Sequence, residues 1–79
     1  MSLIPGTLYT APWYIQRPGL AIADGSVLLV LECEPQLSYD SENYGHLTGY
    51  YDLVIVTGDG MRAKLMFTGA ALTYFKPAT

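Results

Sequence analysis

The sequence predicts a small all-β domain, a barrel of five strands with no convincing helix. Five prolines and eight glycines are spread along 79 residues, which leaves little room for helices. No apolar spacing of three and four residues persists over three turns. Instead Val, Ile, Leu, Thr and Tyr dominate short runs between turn signals, as in strands. The length allows one domain, residues 1–79, without a linker or repeat.

The first half of the chain predicts two strands. The first is expected over residues 8–15, interrupted or bent near Pro12 and lying at an edge or a bulge, because proline cannot donate to a ladder. Turns are predicted at 17–19 and 24–25, and a second strand over 26–34. Strict alternation gives that strand one face with Leu29, Leu31 and Cys33 and an opposite face with Leu28, Val30, Glu32 and Glu34.

The second half predicts a long connection, a hairpin and a last strand. Residues 35–49 are polar and form the connection. Strands at 50–57 and 61–67 form a hairpin closed by the Gly-Asp-Gly turn at 58–60, and residues 72–76 form the last strand. Along the return strand Met61, Ala63, Leu65 and Phe67 are expected to point one way, and Arg62, Lys64 and Met66 the other.

Charge and cysteine content exclude several classes of protein. With 4 basic and 7 acidic residues the net charge is −3, so a global basic surface for nucleic acid is absent and such binding needs a local site. The single cysteine, Cys33, excludes an internal disulfide and a cysteine-rich zinc site, and it suits a reducing compartment. The first residues do not have the pattern of a signal peptide, and the aliphatic run 27–31 is too short to span a bilayer. A cytoplasmic protein without membrane contact is expected.

No residue pattern predicts catalysis. Glu32 and Glu34 could form an acid–base pair, but a solvated strand end explains them better. His46 is the only histidine, and its spacing from the acidic residues matches no metal-ligand motif. The 58–60 segment lacks the lysine and helix of a phosphate-binding loop. We therefore expect no catalytic residue, no metal, no cofactor and no enzymatic activity.

Two features suggest binding. Arg62 and Lys64 share one strand face at a spacing of about 7 Å, which suits successive phosphates as well as a soluble outward surface. The chain also has seven tyrosines. Those in or beside the long connection, Tyr39, Tyr44, Tyr50 and Tyr51, suit a core or protein interface first and base stacking second.

Residues 67–75, Phe-Thr-Gly-Ala-Ala-Leu-Thr-Tyr-Phe, resemble the second sequence motif of Sm-like proteins. That motif has an apolar residue, a basic residue, glycine, two variable residues and then spaced apolar residues; Thr68 stands at the basic position. The hairpin before it fits the two strands that precede the motif in that family. In length and texture the chain is also similar to small SH3-like barrel proteins of marine phages, especially cyanophages.

The resemblance implies a five-stranded SH3-like or Sm-like barrel that forms a homo-oligomeric ring of about five to seven subunits. Such rings bind single-stranded RNA with loops that face the pore. Thr68 and Gly69 are carried over by position, whereas Asn43, Tyr44 and His46 are chosen as hydrogen-bonding and stacking side chains of the corresponding loop. Arg62 and Lys64 complete the predicted nucleic-acid site.

The function expected from these features is single-stranded RNA or DNA binding in nucleic-acid processing, in the cytoplasm of the infected host cell if the chain is phage-encoded. The alternative is a phage structural or protein-interaction module that does not bind nucleic acid. Low charge and a hydrophobic content of 51% favour that alternative, because they suit buried protein interfaces.

Overall fold

The computed structural model of the chain describes residues 3–38 and 46–78. Within them seven strands follow one another along the chain, and one helical turn precedes the last strand. The elements are β1 (Leu8–Thr10), β2 (Ile15–Arg17), β3 (Leu20–Ile22), β4 (Val27–Ser38), β5 (His46–Thr57), β6 (Arg62–Thr68), α1 (Gly69–Leu72) and β7 (Lys76–Pro77).

Five strands form one antiparallel sheet in the order β6-β5-β4-β1-β7, and β2 and β3 form a separate hairpin. The long strands β4 and β5 lie in the middle, and the first and last strands pair at one side. The predicted small all-β fold is therefore confirmed, with seven strands in the described residues where five were predicted; the five-stranded SH3-like or Sm-like barrel stays a prediction.

The core lies between the inner face of the sheet, the β2–β3 hairpin and α1. Leu53 and Ile55 of β5 and Leu72 of α1 have no exposed surface. No polar or charged residue is buried in the part of the chain that the structure describes, so the side chains of this core pack mainly through apolar contacts. The buried side chains are Leu3, Tyr9, Ala11, Ile15, Ile22, Leu28, Val30, Leu53, Ile55, Leu65, Phe67, Leu72 and Phe75.

The first strand, predicted over 8–15 with an interruption or bend near Pro12, begins at Leu8 as expected and is interrupted: β1 ends at Thr10, and the chain rejoins a strand only at Ile15 in β2. The Ala11 N–H donates to the Ser26 carbonyl at 2.8 Å, and Pro12 then begins a connection to β2. The turn predicted at 17–19 is confirmed, but it closes a hairpin whose second strand, β3, was not predicted. Gly19 has a φ of +74°, which suits the third position of a tight turn that has proline at its second.

A β-bulge makes the predicted faces of the second strand wrong. The register between β4 and β5 shifts between Val30 and Glu32, so Leu31 is an extra residue. Val30 and Cys33 therefore both pack toward the core, although three positions separate them. Glu32 is exposed, and its outward position follows from the same shift.

The ends of several elements also differ from the predictions. The connection expected over 35–49 is shorter, because β4 continues to Ser38 and β5 begins at His46. The last strand, predicted over 72–76, is wrong: Leu72 ends α1, where it is fully buried, and β7 follows at Lys76–Pro77. The hairpin turn at 58–60 is confirmed. No helix in the described residues is long and apolar enough to cross a membrane.

Candidate functional site

An exposed aromatic cluster joins three segments that are distant in sequence. Trp13 precedes β2, Phe67 lies near the end of β6, and Tyr74 and Phe75 lie between α1 and β7. The Trp13 ring meets the rings of Phe67, Tyr74 and Phe75 edge to face, with centroid distances of 6.3, 6.0 and 6.3 Å. Phe67 and Phe75 also meet each other at 5.3 Å. These rings form one continuous apolar surface.

The cluster has a buried base and an exposed rim. Phe67 and Phe75 are buried among the core residues, whereas Trp13 is 38% exposed and Tyr74 is 63% exposed. Edge-to-face aromatic pairs each contribute about 0.5–1.5 kcal/mol beyond the burial of area. Trp13 is therefore held in one position by three neighbouring rings while much of its surface faces solvent.

A cation stands beside these rings. The Arg17 guanidinium lies over the Phe67 ring, with 5.6 Å between its central carbon and the ring centroid. One guanidinium nitrogen donates to the Gln16 carbonyl at 2.8 Å, and the side chain is otherwise exposed. We call the exposed patch formed by Trp13, Tyr74 and Arg17, with Phe67 and Phe75 beneath it, the aromatic surface.

The fold holds the aromatic surface through turns and packing. The β2–β3 hairpin, which carries Arg17, is anchored by Ile15 and Ile22, both buried. On the other side the turn of α1 reverses the chain after β6, so that Phe75 returns to Phe67. The sequence contains one tryptophan, Trp13, but no local pattern indicates which side chains surround it. This site was therefore not predicted from the sequence.

The predicted nucleic-acid residues Arg62 and Lys64 lie on the outward side of β6, as their alternation predicts. Both are exposed, and the buried Leu65 and Phe67 point the opposite way. Lys64 pairs with Asp52 of the neighbouring strand at 3.8 Å between nitrogen and oxygen. With the Lys64 side chain 67% exposed, the pair contributes little to stability.

Thr68 and Gly69 have clear structural roles. The Thr68 hydroxyl accepts a hydrogen bond from the Ala71 N–H at 3.1 Å and caps α1. At Gly69 an added Cβ would lie 3.3 Å from a ring carbon of Tyr51, which is closer than an ordinary contact. An alanine at this position would require the Tyr51 ring to shift by a few tenths of an ångström, so local packing favours the glycine that the Sm-like resemblance carried over.

The remaining predicted residues lie elsewhere. His46 is the first residue of β5 and pairs in register with Ser38 of β4. It precedes Tyr50, the residue at which the pairing of β5 with β6 begins, so it has no partner position on β6. Asn43 and Tyr44 lie outside the described residues. The structure thus brings Arg62, Lys64 and Thr68 onto one side of β6 and does not place His46 beside them.

The carboxylates do not assemble a chemical site in the described part of the chain. Glu32 and Glu34 are both exposed on the outer side of β4. Among the described residues no group of three histidine, cysteine, aspartate or glutamate side chains could hold a metal ion.

The turn between β5 and β6 holds one perturbed acid. The Thr57 hydroxyl donates to the Asp59 carboxylate, which lowers the pKa of Asp59 below its ordinary value. The same hydroxyl accepts from the Met61 N–H at 3.1 Å, so it links both ends of the turn. This network orders a hairpin loop, and Asp59 itself is exposed.

Comparison with known proteins assigns no family. No protein-family model, no curated protein and no solved structure matches the chain.

Proposed function

We propose that the chain is a protein-interaction module that binds its partner through the aromatic surface. The observation that carries this proposal is the position of Trp13, which is exposed yet fixed by three edge-to-face ring contacts. Tryptophan, tyrosine and arginine are the residues most enriched among the energetic centres of protein interfaces. Here all three types occur together: Tyr74 contacts Trp13, and both Trp13 and Arg17 contact the Phe67 ring.

Pre-organisation adds to the argument. A side chain that is already ordered loses little conformational entropy on binding, and each ordered side chain saves about 0.5–1.5 kcal/mol. Trp13 is held by rings, and Arg17 by the Phe67 ring and the Gln16 carbonyl. The surface therefore suits a partner segment with an apolar or aromatic anchor for Trp13 and a carboxylate for the free donors of Arg17.

The test uses Trp13 itself as the probe, because it is the only tryptophan of the chain. Peptides would be selected on the immobilised chain from a random library, and their affinities measured through the Trp13 emission. We expect Tyr74→Ala and Arg17→Gln to weaken the selected peptides at least about ten-fold. The control Met66→Ala, an exposed apolar residue on the opposite side of β6, should leave the affinity unchanged.

Two outcomes would contradict this function. One is that no peptide binds with a change in Trp13 emission. The other is that selected peptides bind equally well to the Tyr74→Ala and Arg17→Gln variants, which would place binding elsewhere. The proposal sets this activity in the cytoplasm, of an infected host cell if the chain is phage-encoded, because the single thiol of Cys33 suits a reducing compartment.

A second candidate is single-stranded RNA or DNA binding by a homo-oligomeric ring. It is favoured by the exposed cations Arg62 and Lys64, which lie on the same side of β6 as Thr68. The net charge of −3 opposes it, since no general electrostatic attraction assists these two cations.

The test of this candidate is oligonucleotide binding followed by fluorescence anisotropy at several salt concentrations, with light scattering for the ring. If the candidate holds, Arg62→Gln and Lys64→Gln each weaken binding and each lower the salt slope by about 0.7. Lys76→Gln in the far edge strand β7 is the matched control. Absence of binding at low salt, or equal effects of all three variants, would contradict it.

A further inference from the structure

The two edges of the five-stranded sheet differ in how they are protected. At one edge β7 has only the two residues Lys76–Pro77, and the proline has no N–H to offer a further strand. At the other edge β6 has seven residues without a proline, and its register with β5 is unbroken. Among the described strands β6 pairs with β5 alone. Short strands, prolines and bulges commonly block a sheet edge, and β6 has none of these.

The hydrogen-bonding pattern shows which backbone groups of β6 face away from β5. At the closed end of their hairpin the Thr57 N–H donates to the Met61 carbonyl at 2.9 Å, so these two residues form a hydrogen-bonded pair. In an antiparallel ladder such pairs alternate with pairs that exchange no hydrogen bonds. The odd-numbered residues of β6 therefore bond to β5, and the even-numbered residues face away from it. The outward N–H and C=O groups are those of Arg62, Lys64 and Met66.

The side chains of the same residues lie on the outer face of the sheet and include two cations. Arg62, Lys64 and Met66 are exposed, whereas Leu65 is buried on the core side. Lys64 reaches the Asp52 carboxylate of β5 only at 3.8 Å. Within the described residues Arg62 has no ion pair. The free backbone groups of β6 are thus accompanied by two accessible positive charges.

We propose that this free edge of β6 binds an extended segment of a partner protein in which acidic and apolar residues alternate. The segment adds an antiparallel strand beside β6. Its acidic residues lie opposite Arg62 and Lys64 on the outer face and exchange main-chain hydrogen bonds with them. Its apolar residues point to the core side, beside Leu65. This site occupies the first half of β6, whereas the aromatic surface lies around Phe67 near its end.

Charge and hydrogen bonding together select this partner. The β6 strand of a second copy would bring two more cations to the same face, and its β7 would bring Lys76 and a proline. Opposite charges directly across two strands stabilise a sheet, and like charges destabilise it. A nucleic-acid backbone also attracts the cations, but its phosphates only accept hydrogen bonds. An extended peptide offers both N–H and C=O groups to the edge.

The first experiment tests main-chain pairing by fluorescence anisotropy of a labelled peptide of alternating glutamate and valine, titrated with the full chain. In the proposed pairing the glutamate N–H groups face β6 and the valine N–H groups face solvent. N-methylation of the glutamates should therefore weaken binding at least about ten-fold, whereas N-methylation of the valines should change the Kd less than about three-fold. Neither modification changes the charge of the peptide, so the comparison isolates the hydrogen bonds.

The second experiment tests the charges. Lys64→Glu should weaken the glutamate-valine peptide at least about five-fold, whereas Lys76→Glu, the same change at the opposite edge, should leave its Kd unchanged. The double variant Arg62→Glu, Lys64→Glu should instead prefer a lysine-valine peptide. Tyr74→Ala in the aromatic surface should have no effect on either peptide. Circular dichroism confirms that each variant retains the fold.

Three results would overturn the proposal. The first is the absence of binding at millimolar peptide. The second is equal binding of the two methylated peptides, since attraction between charges would then suffice without an added strand. The third is equal loss of affinity in Lys64→Glu and Lys76→Glu, which would reflect net charge and no defined position on β6.

Discussion

Replacement of Thr68 tests its structural role as the residue that caps α1. Its hydroxyl accepts the Ala71 N–H at 3.1 Å, and its extended backbone, with φ −71° and ψ 157°, ends β6 and begins α1. Thr68→Val keeps the shape and the strand preference of the side chain but removes the acceptor. Loss of such a cap costs about 1 kcal/mol, within a range of 0.5–2 kcal/mol. Thr68→Ser keeps the oxygen and should cost only a few tenths of a kcal/mol.

The assay is urea unfolding of the three proteins, followed by circular dichroism. Thr68→Val should lower the midpoint at an unchanged m-value, because the loss lies in the native state. For a domain of this size, 1 kcal/mol also lowers the Tm by about 4–8 °C. The reasoning would be refuted if Thr68→Val and Thr68→Ser were equally stable, since the hydroxyl would then contribute nothing as a cap.

Three further predictions concern the core and the β5–β6 turn. Leu53→Ala removes a fully buried side chain from the centre of β5 and should cost about 2–5 kcal/mol in urea unfolding; a cost below 1 kcal/mol would mean that the core is packed differently. Gly60 has a φ of +89°, which is unfavourable for alanine, so Gly60→Ala should lower the free energy of unfolding by about 1–2 kcal/mol. Gly58 lacks a positive φ and has open space at its Cβ position, so Gly58→Ala should change the free energy of unfolding by no more than about 0.5 kcal/mol. Equal costs at the two glycines would argue against this turn geometry. For Asp59, whose pKa is lowered by the Thr57 hydroxyl, Thr57→Val should raise the pKa in an NMR titration toward its ordinary value. Because the folded-state pKa lies below that of the unfolded chain, the associated stability is present above the unfolded value and is lost as the pH falls through the folded one. An unchanged Asp59 titration in the variant would show that the hydrogen bond is not the cause.

Local signals in the sequence predicted some elements well. The Gly-Asp-Gly turn and the alternation along β6 lie within a few residues, and both are confirmed. The bulge after Val30 has no such signal, because the extra residue Leu31 is as apolar as its neighbours and only pairing with β5 defines the register. Alternation therefore placed Cys33 on the wrong face.

For the candidate site as well, the sequence predicted only those features that depend on neighbouring residues within one strand. The exposed side of Arg62 and Lys64 follows from alternation within one strand. The aromatic surface depends on contacts of Trp13 with Phe67 and Tyr74, which are 54 or more positions away, and no local pattern predicts such contacts. Thr68 was selected by its place in a family motif, whereas the structure gives its hydroxyl the role of a helix cap.

The most direct test of the aromatic surface as a binding site is an NMR titration of the ¹⁵N-labelled chain with the tightest peptide from the library selection. We expect the largest shift changes at the Trp13 indole N–H and at the amides of Arg17 and Tyr74, with little change at Arg62 and Lys64. Changes that centre on the outward side of β6 and leave the Trp13 indole unaffected would contradict the proposed function.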